Sequence, residues 1–84
     1  MKVRIVIEFD EAAEYILSHR LLGQYKKAKT YLIDGHFSLI DFKLRQPKKR
    51  GIYQFRINKK YRGFCYFRED GVLVVYKISD HQGF

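Results

Sequence analysis

The chain is short of cysteine and of long apolar runs, and each shortage excludes a class of protein. Cys65 is the single cysteine among 84 residues, so an internal disulfide and a cysteine-based zinc cluster are both excluded. No segment approaches the roughly 20 consecutive apolar residues that a membrane-spanning helix needs. The first residues also lack the apolar core of a signal peptide, and we therefore expect a cytoplasmic protein.

Acidic residues are absent from the segment 43–62, which is rich in cations. Its lysines and arginines are Lys43, Arg45, Lys48, Lys49, Arg50, Arg56, Lys59, Lys60 and Arg62. Residues 1–42 are neutral overall, so the second half carries the whole formal net charge of +8. Apolar residues such as Ile52 and Phe55 lie between the cations, which a solvated tail would lack. The segment therefore predicts a folded basic surface whose partner is nucleic acid, an anionic membrane or an acidic protein.

The overall composition is that of a globular protein despite this charge. Hydrophobic residues make up 46% of the chain and aromatic residues 17%. We expect residues 1–84 to form one small domain. Within it, Cys65 is expected to be a buried, inert thiol.

Alternating apolar residues near the start predict a strand with one buried face. The four that alternate with polar positions are Val3, Ile5, Ile7 and Phe9. Because successive side chains of a strand point to opposite faces, this period of two predicts a strand over residues 2–8 that buries all four.

Two helices are predicted after this strand. Asp10 is placed to cap the first, with Glu11 near its positive end, and we expect that helix to end near His19. From Leu21 the apolar residues recur at helical spacing, and Gly35 is a natural stop. The two helices are expected to run antiparallel and to cover one face of a sheet.

Three further strands are predicted in the second half. Alternation indicates strands over residues 51–58 and 61–68. The Asp70-Gly71 pair is a hairpin signal that leads into a last strand over 72–79. The resulting order, β-α-α-β-β-β, is that of an α+β fold with two N-terminal helices on one face of an antiparallel sheet.

Several of these pieces, in this order, resemble the RelE/ParE toxin superfamily, in particular its RelE and YoeB branch. The matching residues are Tyr53 to Arg56, Tyr61 and Arg62, Tyr66, Asp70 and Gly71, the apolar strand 72–78, and Asp80 with His81. The resemblance covers most of the chain. It implies the same fold and a toxin of a type II toxin–antitoxin system, a ribosome-dependent endoribonuclease that cleaves mRNA and inhibits translation.

Strand pairing predicts which side chains meet. With a two-residue turn, the last hairpin pairs Glu69 with Val72 and Arg62 with Ser79. The helix-covered face then holds Cys65, Phe67, Val72, Val74, Tyr76 and Ile78. The opposite, polar face gathers Arg62, Arg68, Lys77 and, in an extended register, His81. Arg56 lies opposite Arg62 only if the loop formed by Asn58, Lys59 and Lys60 has an odd number of residues, whereas a two-residue turn would place the two arginines on opposite faces.

Such a polar face suits RNA cleavage by a 2′-hydroxyl that attacks the adjacent phosphate. Charge develops on the non-bridging oxygens, where guanidinium groups stabilise it, and the leaving 5′-oxygen needs a proton that histidine can donate. The resemblance implies Arg62 as the phosphate and transition-state ligand, Arg56 as a second cation and His81 as the general acid. Asp80 and Glu69 stay open as the base, and Asp80 alternatively orients His81.

Other residues are predicted to bind RNA without chemistry. The cations expected to contact phosphates are Lys43, Arg45, Lys48, Lys49, Arg50, Lys59 and Lys60. Phe84 is placed to stack on a base. The resemblance implies two partners, the ribosome with its mRNA and a cognate antitoxin that covers the basic face. No cofactor is expected, and no metal, since Asp80 and His81 lack further ligands.

Two other functions stay open at this point. A ParE-like protein of the same fold would inhibit DNA gyrase by binding, and a non-catalytic member would be only a basic RNA-binding module. Each residue also has a plainer reading. His81 is then an ordinary exposed histidine, Arg56 and Arg62 are solvated strand residues, and Lys48–Arg50 is a solvated turn.

Overall fold

A sheet of five strands packs against two helices in the computed structural model, which describes residues 1–80. The strands are β1 (Ile5–Glu8), β2 (Lys43–Leu44), β3 (Ile52–Arg56), β4 (Arg62–Glu69) and β5 (Val72–Ser79). Their order across the sheet is β1-β5-β4-β3-β2, with β1 parallel to β5 and the other neighbours antiparallel. The predicted α+β class is confirmed, and β2 is an edge strand that the sequence pattern did not predict.

The helices lie close to their predicted positions. They are α1 (Asp10–Ser18) and α2 (Leu22–Asp34), and α2 is followed by Gly35 in the left-handed conformation with φ of 80°. This stop was predicted, because glycine adopts positive φ without a steric penalty. The predicted cap at Asp10 is wrong, since Phe9 occupies the cap position and Asp10 is already the first helical residue.

The two helices bury one face of the sheet, and the core lies between these layers. Core side chains with at most 4% exposure include Ile16, Tyr25, Leu32, Phe55, Cys65, Leu73 and Val75. Cys65 is buried as predicted, and burial raises the pKa of its thiol. The Tyr25 hydroxyl donates to Glu8 Oε2 at 2.5 Å, and Lys29 Nζ lies 3.1 Å from the same oxygen. The Glu8 carboxylate at the edge of the core therefore has both a hydrogen-bond donor and an opposite charge as partners.

The buried face predicted for the first strand is mostly wrong. Of the four side chains predicted to be buried there, Val3 is buried, whereas Ile5, Ile7 and Phe9 are half-buried or exposed. Val6 is buried instead, at 6% exposure. The strand begins only at Ile5, and Val6 and Glu8 point toward the helices. Val3 precedes the strand, so its burial does not follow from the alternation of side chains within β1.

Irregular pairing between β4 and β5 changes which residues of β5 face the helices. Arg62 pairs with Ser79, as the two-residue turn predicts, but Cys65 pairs with Val75 instead of Tyr76. One extra residue in β5 therefore reverses the alternation, as a bulge does. The side chains wrongly predicted on the helix-covered face are Val72, Val74 and Tyr76, and the core contains Leu73 and Val75 in their place.

Candidate nucleic-acid interface

The face of the sheet opposite the helices, called here the outer face, is the candidate interface. Alternate residues of β3 and β4 reach it, because Phe55 and Cys65 point into the core and their neighbours point away. The outer-face residues of these two strands include Ile52, Gln54, Arg56, Arg62, Phe64 and Tyr66. Cationic and aromatic residues therefore share the outer-face positions of these strands, and Arg56, the last residue of β3, also lines a groove beside Gln24 and Tyr31 of α2.

Arg56, Arg62 and Ser79 form one row across three strands of this face. Arg56 pairs with Arg62, and Arg62 pairs with Ser79. The Ile57 amide donates to the Tyr61 carbonyl at 3.0 Å, so the loop 58–60 has three residues and the predicted condition is met. Like charges directly opposite each other destabilise an antiparallel pair unless an anion lies between them. The row is therefore a natural position for a phosphate.

The turn that precedes β4 holds the Arg62 side chain. Arg62 Nη1 donates to the carbonyl of Asn58 at 2.7 Å and to that of Tyr61 at 3.2 Å. Asn58 Oδ1 in turn accepts bonds from the amides of Lys60 and Tyr61, both at 2.8 Å. Since a guanidinium carries five N–H donors, this anchoring fixes the group and leaves donor capacity for an anion. Arg62 is thus both a structural residue and a preorganised cation.

The other cations predicted to bind RNA differ in their surroundings. Those that are exposed are Lys43, Lys48, Lys49, Arg50, Lys59 and Lys60. Lys43 Nζ lies 3.4 Å from Asp41 Oδ2 in an ion pair that is more than half exposed and therefore contributes little stability. Arg45 is half-buried, with its guanidinium carbon 4.8 Å from the centre of the Phe64 ring. Its position is therefore better defined than that of the lysines.

Two residues predicted near this row lie at the other end of the sheet. Glu69 ends β4 and forms an exposed ion pair with Arg68 at 3.2 Å. Arg62 and Glu69 are seven positions apart, which is about 23 Å along a strand. Glu69 is therefore excluded as a base beside Arg62. Arg68 is exposed, but it lies six positions along β4 from Arg62.

The remaining predicted groups lie at the carboxyl end of β5. Asp80 follows Ser79 directly. Burial raises the pKa of the Tyr15 phenol, and the charges of Asp80 and Tyr61 raise it further. The His19 ring stacks on Tyr15 with ring centres 3.7 Å apart, next to Tyr61. His81 and Phe84, the predicted acid and stacking residue, lie outside the described residues 1–80.

An aromatic groove on the outer face was missed by the sequence analysis. Its volume is about 560 Å³, and its lining residues are Phe9, Arg45, Gln46, Pro47, Arg50, Ile52, Tyr66 and Tyr76. Phe9 had been predicted on the buried face of the first strand, and Tyr76 on the helix-covered face. The run of five apolar residues from Val72 to Tyr76 was the available signal, since such a run indicates a strand with apolar neighbours on both faces.

Within residues 1–80, no cluster of three or more His, Cys, Asp or Glu residues is arranged to hold a metal ion. Among those same residues, no helix has the length and apolar character to cross a membrane. No protein-family model matches this chain, and no curated protein matches it either. The geometry of the outer face is therefore the basis for a functional proposal.

Proposed function

We propose that this protein is a RelE-like toxin of a type II toxin–antitoxin system, a cytoplasmic endoribonuclease that cleaves mRNA on the ribosome. The proposal combines the resemblance of residues 53–81 to the RelE/ParE superfamily with the chemistry available on the outer face. Its substrate is the mRNA phosphodiester, and its protein partner is an antitoxin that covers the basic surface.

The pairing of Arg56 with Arg62 is the observation that carries the proposal. Two arginines at paired positions carry like charges that repel each other, and an RNA phosphate bound beside both would offset that repulsion. When the 2′-hydroxyl attacks, the non-bridging oxygens gain charge, and both cations stabilise it. Because the Asn58 and Tyr61 carbonyls already hold Arg62, little reorganisation is needed during the reaction.

The proton transfers are assigned to the end of β5. The row of Arg56, Arg62 and Ser79 ends one residue before Asp80, and His81 follows directly in the sequence. His81 protonates the leaving 5′-oxygen in this proposal, a role that suits imidazole near neutral pH. The proton that the 2′-hydroxyl loses passes to Asp80 or to solvent water. The reaction needs no metal in this scheme, since two guanidinium groups supply the positive charge.

The test is to map mRNA 5′ ends after brief expression of the wild type and of Arg56→Ala, Arg62→Lys and His81→Ala. The wild type is expected to create new ends within translated regions. Arg56→Ala and His81→Ala should each reduce cleavage by about 100-fold or more. Lysine is chosen at position 62 because it keeps a donor for the Asn58 carbonyl, which alanine would leave without its partner.

Lys26→Ala is the matched control. It removes one positive charge from an exposed position on α2, away from the outer face, and should cleave like the wild type. Intact mRNA with loss of DNA supercoiling would overturn the proposal in favour of a gyrase inhibitor. Intact mRNA with supercoiling unchanged, while RNA still binds, would favour a non-catalytic RNA-binding module.

A further inference from the structure

The aromatic groove lies on the same face as the arginine row but some distance along the sheet. Tyr66, one of its walls, pairs with Ile52 of β3 and with Val74 of β5. Arg62 and Tyr66 are four positions apart, which is about 13 Å along β4. A single RNA strand that passes the arginine row can therefore also reach the groove.

Three rings provide stacking surfaces in this groove. Phe9 is 48% exposed and meets Tyr66 edge to face, with ring centres 6.5 Å apart. Tyr76 lies on the other side of Tyr66, with ring centres 6.0 Å apart. An exposed phenylalanine beside two half-buried tyrosines offers ring faces and edges to a planar ligand, and nucleobases of every sequence stack on such rings.

Two guanidinium groups complete the groove. Arg45 and Arg50 both line it, and their charges act to lower the pKa of Tyr76, although burial raises that pKa overall. Both cations therefore lie near the Tyr76 ring. Arg45 rests over Phe64, which fixes its direction, whereas Arg50 is exposed in the short turn Lys48–Arg50. Guanidinium groups bind phosphate with two parallel hydrogen bonds.

We infer that the aromatic groove is a nucleotide subsite that binds one unpaired RNA nucleotide, with its base on the Phe9, Tyr66 and Tyr76 rings and its phosphate on Arg45 and Arg50. This inference rests on the proposed function, because it supplies the RNA next to the cleaved bond. The volume of about 560 Å³ lies within the range of small-ligand sites. Base-paired RNA keeps its bases stacked inside the helix, so the groove selects a single strand.

The experiment measures binding of a fluorescein-labelled single-stranded 2′-O-methyl RNA hexamer to the purified protein by fluorescence anisotropy. The methyl group removes the attacking hydroxyl, so binding is measured without cleavage. Arg50→Ala and Lys49→Ala remove the same charge from the same turn, but only Arg50 lines the groove. Arg50→Ala should weaken binding about tenfold or more, and Lys49→Ala less than about threefold.

Substitutions at Tyr76 test stacking separately from charge. Tyr76→Ala should weaken binding about 5- to 100-fold, the range found when a base-stacking ring is removed. Tyr76→Phe keeps the ring and should stay within about twofold of the wild type. Lys26→Ala should bind like the wild type, and circular dichroism of each variant checks that the fold is kept.

Three results would overturn the subsite. The first is that the wild type does not bind the hexamer at about 0.1 M salt, where charges closer than about 10 Å still interact. The second is an equal loss of affinity for Arg50→Ala and Lys49→Ala. The third is unchanged affinity for Tyr76→Ala. Tighter binding of a poly-glutamate peptide than of the hexamer would also overturn it, in favour of an acidic protein partner. Wild-type protein that binds RNA through the groove but cleaves no mRNA would refute the proposed nuclease and leave the subsite standing.

Discussion

The two faces of the sheet are built from the same strands but differ in burial and in the residues they carry. On the helix-covered face, Phe55 and Cys65 are fully buried. One residue further along each strand, on the outer face, Arg56 is exposed and Tyr66 is half-buried. Because side chains alternate, a strand can stabilise the fold on one face while it presents cations on the other. Substitutions on the two faces should therefore have separable effects.

The largest effect is expected from Phe55→Ala on the helix-covered face. The side chain is fully buried in the core, so its removal leaves a cavity and should lower the free energy of unfolding by about 3–5 kcal/mol. Urea denaturation followed by circular dichroism measures this loss. A loss below about 1 kcal/mol would show that the ring is not a core residue.

Gly63 provides a control for that substitution. The Phe55 ring lies where a Cβ on residue 63 would stand, so Gly63→Ala should by itself destabilise the protein by overpacking. In the Phe55→Ala background the added methyl group has room, and its cost should largely disappear. Additive losses in this double-mutant cycle would contradict the contact between the two residues.

A smaller effect is expected from Tyr25→Phe, which removes the hydroxyl that donates to Glu8. The loss should be about 1.5–3 kcal/mol, since the bond is made to a charged group, and Lys29 still pairs with the carboxylate. Burial and then the Glu8 hydrogen bond raise the pKa of Tyr25 above its ordinary value of 10.0. The folded state therefore holds this proton more tightly than the unfolded state.

Because the pKa of Tyr25 is raised in the folded state, the protein should lose stability at alkaline pH. The stabilisation linked to the Tyr25 proton is complete below about pH 10 and is lost as the pH rises above it. Urea midpoints at pH 8 and pH 11 should therefore fall more steeply for the wild type than for Tyr25→Phe. Equal slopes would show that this phenol does not contribute to alkaline unfolding.

The smallest effect on stability is expected from Arg56→Gln on the outer face. It removes one of two opposed cations, so the change should be within about 0.5 kcal/mol and stabilising at low salt. The difference in stability between Arg56→Gln and the wild type should shrink at about 1 M salt, where the screening length is only about 3 Å. Thermal unfolding at two salt concentrations measures it, and a clear destabilisation would show that Arg56 supports the fold.

Local sequence patterns were sufficient to predict several features of this protein. The acid-free segment 43–62 located the basic surface, Gly35 located the end of α2, and the two-residue turn predicted the pairing of Arg62 with Ser79. Each of these features depends on neighbours in sequence or on the geometry of one turn. Charge, turn chemistry and periodicity are properties of that kind, and they are readable without a tertiary structure.

Long-range packing determined which side chains of β1 and β5 are buried and where the aromatic groove forms. Whether Val6 or Ile5 is buried depends on how β1 pairs with β5, a partner far away in the sequence. The bulge in β5 moved Tyr76 to the outer face, where it meets Tyr66 and, with Phe9, forms the aromatic groove. A bulge reverses every alternation beyond it, and only the paired strand determines where it occurs. The basic segment was therefore evident from the chain itself, but the groove beside it exists only because the sheet is assembled in this register.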